Sequence, residues 1–476
     1  MKSLSMVLIA VLWLSLPAVG ADAPAAKDAQ GLADEVKQAA TPLGCSYFAD
    51  LPDRIWADTK VRVVGREEAR SMIASEYGDH FKDYKSAILT LGVPAELSAE
   101  ENWGPLYLVG FVPAQCNPRQ AYVDWLYVND AAVYDWNSKT LLVVKDEQMA
   151  DLPTLSRRRV IVQELSNALV QRHIFGGKSF RDIDMGAEQQ QDNHFAIMAV
   201  IEGSARLLAN RYQAEFTRTN KGLRSAVLQH ADYEQMRVNE FMKLPLYVQS
   251  SLGAAVCGMH FLMRGKPASA SAEGKTVEET LQLLRTRRPE TTEEILHPEM
   301  FFNKDAAGLP ILIDAPSVER HLVMFLVKGW TPVGAYKDTF GELLCSLLAK
   351  PKNAKAGPLD ALNPSFFINE AGSGWGGDKF FLLRKGAVIA PKAGGPPPSV
   401  DQVKGVWVTV WDTPKDREEF VAAYSKNMPK ETGVVLVGAR TAVFLFNMTP
   451  QERDGLARLV KDGPPTLQQG YKPVNP

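Results

Sequence analysis

The chain has 476 residues, 46% of them hydrophobic and 23% charged, an ordinary globular composition with length for two or more domains. Its 53 lysines and arginines nearly match its 55 aspartates and glutamates, leaving a formal charge of −2. That balance, with no long single-sign run, gives no basis for nucleic-acid or anionic-membrane binding.

The N-terminus reads as an export signal over residues 1–21. Lys2 supplies a thin positive region, Met6 to Leu16 is an apolar core too short for a comfortable span, and Pro17 to Ala21 offers small residues for cleavage after Gly20 or Ala21. An uncleaved N-terminal anchor is the alternative. No cysteine closely follows the apolar core, which argues against a lipoprotein anchor, and no later stretch is apolar enough to span a bilayer. The expectation is a soluble exported protein, periplasmic or extracellular. Export permits disulfides, and Cys45, Cys116, Cys257 and Cys345 allow three pairings. Cys257 and Cys345 sit in apolar helical patterns and fit buried thiols, with a disulfide between them as the alternative.

Residues 22–42, rich in Ala, Asp, Lys and Gln, read as a polar leader. Arg66 to Tyr77 and Phe81 to Leu91 have helical periodicity. Val133 to Val144 reads as strand, Asx-rich turn and β-branched strand, ahead of a helix over 156–175. Asn193 to Tyr212 places apolar residues 195, 198, 201, 205 and 208 on one helix face. Leu244 to Met263, Val277 to Leu284 and Val318 to Val327 are further apolar helices. After the glycine cluster Gly374 to Gly377, strands at Lys379 to Arg384 and Gly405 to Trp411 are followed by a helix from Pro414 to Met428. A hairpin of Val434 to Val437 and Thr441 to Phe446 completes a ββαββ unit. The fold class expected is α+β, mainly helical, with a core over 43–369 and a C-terminal α+β unit and tail over 370–476.

Five strings carry a resemblance. Gln163-Glu164-Leu165-Ser166-Asn167 resembles the zinc helix of an HExxH metallopeptidase with both histidines replaced by amides, and Glu202-Gly203-Ser204-Ala205 resembles the EGDA-type segment bearing a third ligand. Pro289 to Glu299 resembles a PxSTEQILHPE segment, Gly374 to Asp378 a GWGGDR signature and Trp411-Asp412-Thr413 a WDT signature. Together, over roughly 80–450, they resemble secreted or envelope-attached prokaryotic proteins of the gluzincin type. The resemblance implies a zincin-like core, zinc as the family's metal, Gln163, Asn167 and Glu202 at the former ligand positions, and Glu164 at the general-base position.

The departures fall where zinc can least spare them. Imidazole nitrogens hold zinc well, whereas amide oxygens are weak neutral ligands suited at best to hard ions such as magnesium or calcium. One turn after Glu202 stands Arg206, where the resemblance implies an acidic residue orienting a histidine. At i and i+4 the guanidinium can supply the charge that zinc would bring. A lone Glu164 without a Lewis acid is a vestigial base.

His173 lies well around the helix from position 163 and His194 about two turns from Glu202, so both read as structural, as does His297 before Pro298. Gly374 to Gly377 lacks a following Lys-Ser or Lys-Thr and reads as packing around Trp375 rather than a phosphate loop. Ser166 and Ser204 have no nucleophile motif around them. The expected function is an exported pseudopeptidase, without cofactor, binding a peptide or envelope protein, with strand 141–144 open to edge addition. The alternatives are an active metal-dependent hydrolase with non-standard ligands, or a structural envelope protein.

Overall fold

The computed structural model describes residues 29–48, 56, 59–69, 105–113, 132–136, 138–145, 153–178, 191–220, 224–265, 273–303, 310–351, 363–385, 401, 403–429 and 432–469. The segment expected as an export signal, the helix expected over Phe81 to Leu91, Cys116 and all but the first turn of Arg66 to Tyr77 lie outside them.

Leu32, Ala33, Val36 and Ala40 recur at helical spacing and form the buried stripe of helix α1 (Ala29–Tyr47). The segment expected as a leader is therefore part of the core from Ala29 onward, its apolar stripe diluted by Lys, Gln and Asp on the outer face. A fully buried Leu or Val contributes about 1.5–3 kcal/mol.

Strands β1 (Lys60–Val64), β2 (Ala132–Asp135) and β3 (Thr140–Val144) make a three-stranded sheet in the order β1-β3-β2. β3 pairs in parallel with β1 and antiparallel with β2, and all five of its residues are buried. This corrects the expectation of edge addition at 141–144: both edges of that strand are already paired.

The helical layer follows. Helix α2 (Thr154–His173) begins after Pro153, and α3 (Gln191–Thr219) lies along it. Next come α4 (Arg224–Phe241), α5 (Leu246–Leu262) and α6 (Glu273–Leu284). At the crossing of α3 and α5 the backbones touch. A Cβ on Gly203 would lie 2.5 Å from the carbonyl carbon of Gly258, and one on Gly258 would lie 1.8 Å from the oxygen of Ala199. Only glycine allows that approach. Two one-turn helices, α7 (Thr292–Leu296) and α8 (Pro298–Phe302), meet at His297, and the Thr291 side chain caps α7 at the Glu294 N–H.

Strand β4 (Ile311–Ile313), helix α9 (Ala315–Leu322), a 3₁₀ segment (Val323–Lys328), strand β5 (Trp330–Asp338) and helix α10 (Gly341–Ala349) lead into the C-terminal sheet. The expected Val318 to Val327 helix is thus α-helical only to Leu322. Strands β6 (Trp375–Lys385), β7 (Val403–Trp411), β8 (Gly433–Val437) and β9 (Thr441–Phe446) join β5 in the antiparallel order β5-β6-β7-β9-β8, with helix α11 (Pro414–Tyr424) between β7 and β8. The expected ββαββ order is present. The sheet also takes an edge strand from 330–338, upstream of the boundary expected at 370. Helix α12 (Pro450–Asp462) and β10 (Leu467–Gln469), which pairs with β4, close the chain's described part.

Both faces of this sheet are buried, which explains its nearly continuous apolar strands. Phe380, Leu382, Trp407 and Phe444 join the core shared with the helices. Phe381, Leu383, Val406, Val408 and Leu445 face a second core closed by Val318, Leu322, Leu456 and Val460. The protein is α+β and mostly helical. Among the described residues no helix is long and apolar enough to cross a membrane. Cys257 and Cys345 are buried thiols not bonded to each other.

Candidate functional site

Contacts at both ends of α2 and α3 set their relative register. Arg159 Nη2 donates to Asn210 Oδ1 at 2.9 Å, and Arg158 lies within 3.4 Å of the Tyr212 hydroxyl. At the far end, Arg288 rests over the Phe175 ring just past α2, while Asn193 near the start of α3 donates to the Glu290 carbonyl. The helices therefore run antiparallel. One turn in from the Arg159–Asn210 pair are Gln163 on α2 and Arg206 on α3; one turn further are Asn167 and Glu202. By this register Gln163, Asn167, Glu202 and Arg206 fall on facing stripes of the α2–α3 seam, Gln163 and Glu202 half-buried and Asn167 and Arg206 buried, while half-buried Glu164 turns to β2.

Glu164 is tied into the fold. Its Oε2 accepts the backbone N–H of Tyr134 at 2.9 Å and lies 3.4 Å from Asn167 Nδ2. Tyr134 is on β2, an edge strand, so the carboxylate satisfies an edge donor that the sheet leaves open. With Nδ2 turned to Glu164, Asn167 Oδ1 is buried without a hydrogen-bond partner. His173 packs edge-on against Phe48, with ring centroids 5.0 Å apart. His194 is buried on α3, and burial pushes its imidazole down to about 3.

Arg206 lies among charges. Burial lowers its pKa to about 10, and Arg159 and Arg237 press the same way while Glu234 and, more weakly, Glu202 oppose them. No ion pair joins it to Glu202 among the described residues. Arg159 is likewise lowered by burial, with Glu234 raising and Arg237 lowering it. Burial works to raise Glu234, yet Arg237, Arg159, His230 and Arg206 outweigh it and leave the carboxyl low. On the other side of Glu234, His230 bonds Ser156 at 2.8 Å.

A second cluster gathers carboxylates from within those strings, Glu293 and Asp378, and from outside them, Asp192 and Glu342. Asp378, closing the Gly374 to Asp378 string, is buried and accepts four donors: the indole N–H groups of Trp375 and Trp407 and the backbone N–H groups of Phe340 and Gly341. Burial still raises its pKa. Gly377 is glycine because a Cβ there would lie 2.1 Å from the Ile311 carbonyl oxygen, and Gly374 holds φ +79°. Asp192, at the start of α3, accepts the backbone N–H and hydroxyl of Thr292, and burial pushes it up to about 8. His297 Nε2 meets Glu342 Oε1 at 3.0 Å, while Glu342 Oε2 is buried without a partner. Glu293, pushed up to about 9 by burial and then by Glu342, Asp412 and Asp192, completes the group. These residues join α3, α7, α10 and the sheet in one buried polar knot. His297 and the glycine cluster both pack into this knot.

The donor chemistry at the seam does not fit zinc. Two amides flank a carboxylate already engaged by a backbone N–H, and the guanidinium of Arg206 stands level with Gln163. Among the described residues no group of three or more His, Cys, Asp or Glu side chains is arranged to hold a metal. A family described as a domain of unknown function (DUF8575) matches residues 331–464, from β5 to just beyond α12. No curated protein matches the chain, and no solved structure does.

Proposed function

We propose that this protein is an exported, catalytically inactive relative of gluzincin-type metallopeptidases, acting by binding a peptide or an envelope protein at the α2–α3 seam. What supports the reading is the pair of amides, Gln163 and Asn167, in the string that resembles a zinc helix, with Glu202 on α3, whose register against α2 is set by the Arg159–Asn210 bond. Glu164, engaged by Tyr134, serves the sheet in place of a catalytic water. Arg206 stands one turn from Glu202 and brings the positive charge that a metal would supply in an active relative. Export rests on the apolar core Met6 to Leu16 and the small residues after it.

Metal analysis of the purified protein, with a casein digestion assay run with and without chelator, tests the reading. The expected result is no stoichiometric zinc and no chelator-sensitive cleavage. One equivalent of zinc together with chelator-sensitive cleavage overturns it.

A further inference from the structure

Helix α4 is attached in two different ways along its length. From Ser225 to Arg237 only His230 is buried, and Leu228 and Met236 stand 51% and 54% exposed. Past that stretch, Val238 and Phe241 are both buried. The last turn is thus held by apolar burial and the part before it by polar contacts. His230 Nδ1 lies 2.8 Å from Ser156 Oγ, near the start of α2. One turn on, Glu234 sits 3.8 Å from Arg237 of its own helix, and its charge acts on Arg159 of α2 and Arg206 of α3. Glu234 therefore bears on both helices, at the end of the seam that the Arg159–Asn210 bond marks. Beneath α4 there, Ser156 and Arg159 are only 1% and 5% exposed.

The two kinds of attachment differ in what release costs. Apolar side chains drawn out of a core lose stabilisation in proportion to the area that meets water. Hydrogen bonds and ion pairs exchange for water at a small net loss, and charges lifted into solvent recover their hydration. The N-terminal part of α4 is therefore the part that leaves first, and once detached a segment of that length does not stay helical alone. We infer that α4 is a hinged cover over one end of the α2–α3 seam. Its N-terminal part lifts and uncovers Ser156, Arg159 and Arg206, while Val238 and Phe241 stay seated. The cover gates entry to the site proposed above, a consequence that rests on that reading; the opening itself does not.

The test is hydrogen exchange of the full chain, read peptide by peptide by mass spectrometry. Amides of residues 229–237 are expected to exchange at least about tenfold faster than those of α3. His230→Ala removes the polar latch on Ser156 and is expected to speed exchange in 229–237 about tenfold further, with α3 unchanged. Thiol labelling of Ser156→Cys gives a second readout. That thiol is expected to react at least about tenfold faster than Cys257, which is buried in α5 and serves as the reference for opening of the core. Protection of 229–237 equal to that of α3, exchange there that His230→Ala leaves unchanged, or equal labelling of the two thiols would each overturn the cover. Stoichiometric zinc with chelator-sensitive cleavage would instead remove the pseudopeptidase reading and leave α4 as the gate of an active enzyme.

Discussion

The Glu164 carboxylate accepts the Tyr134 backbone N–H at 2.9 Å, so a side chain of α2 satisfies an edge donor of the three-stranded sheet. Glu164→Ala removes that acceptor and is expected to destabilise the protein by about 1–2 kcal/mol, with Glu164→Gln costing less because an amide oxygen can still accept. Urea denaturation measures both. An unchanged midpoint in the alanine variant would show that the bond carries no weight.

Restoring imidazoles at both amide positions tests the geometry of the seam. Gln163→His combined with Asn167→His is expected to take up one equivalent of zinc in equilibrium dialysis, where the native chain takes up none, because Glu202 stands level with position 167. No uptake by a folded double variant would mean that the facing stripes do not converge as a zincin site requires.

Asp378 is the buried hub of the C-terminal sheet, with four donors converging on it. Asp378→Ala leaves all four unpaired and is expected to cost about 3–5 kcal/mol, read by chemical denaturation. Asp378→Asn keeps one oxygen and is expected to fall between the alanine variant and the native chain.

Stability should fall as the solution is made alkaline. Asp192, near 8, and Glu293, near 9, hold protons in the folded state that the unfolded chain releases at ordinary carboxyl values. Their contribution is complete below those ordinary values and is lost as pH rises towards the folded values. His297, raised first by its bond to Glu342, acts in the same direction. His194 and His230, lowered by burial to about 3 and about 4, are neutral in both states above pH 7.5 and add no slope there. Melting temperatures between pH 7.5 and 9 should decline, and Glu293→Gln should flatten the decline. A flat profile in the native chain would show that these carboxyls ionise normally.

Much of this architecture was legible in the order of residues, and the failures have physical causes. The 3.6-residue period of Asn193 to Tyr212 located α3, and the turn at Gly438 located the last hairpin. Helix α1 was hidden because Gln30, Asp34, Glu35, Lys37 and Gln38 interleave the four apolar residues of its stripe. Strand β5 was hidden because Pro332 and a register shift between Pro332 and Lys337 interrupt its pattern. Gln163, Asn167 and Glu202 could be singled out from motif spacing, but their alignment with Arg206 depends on interhelical register, which no local pattern encodes. The carboxylate knot is a stronger case. Asp192, Glu293, Glu342 and Asp378 are scattered over nearly two hundred positions and meet only through tertiary packing.

Gly258→Ala tests the contact between α3 and α5. The added methyl would meet the Ala199 oxygen, and a loss of about 1–3 kcal/mol is expected in thermal or chemical unfolding. A neutral substitution would mean that the two helices can move apart freely.

The glycine crossing also bears on the binding proposed for the seam. With no side chain to act as a cushion between them, α3 and α5 behave as one stiff beam, and Glu202 and Arg206 are mounted on it. Neither residue can be drawn toward an incoming molecule by rolling the helix. A partner of the kind proposed above would then have to bring the fit in its own shape, with little energy going into rearranging α3 or α5.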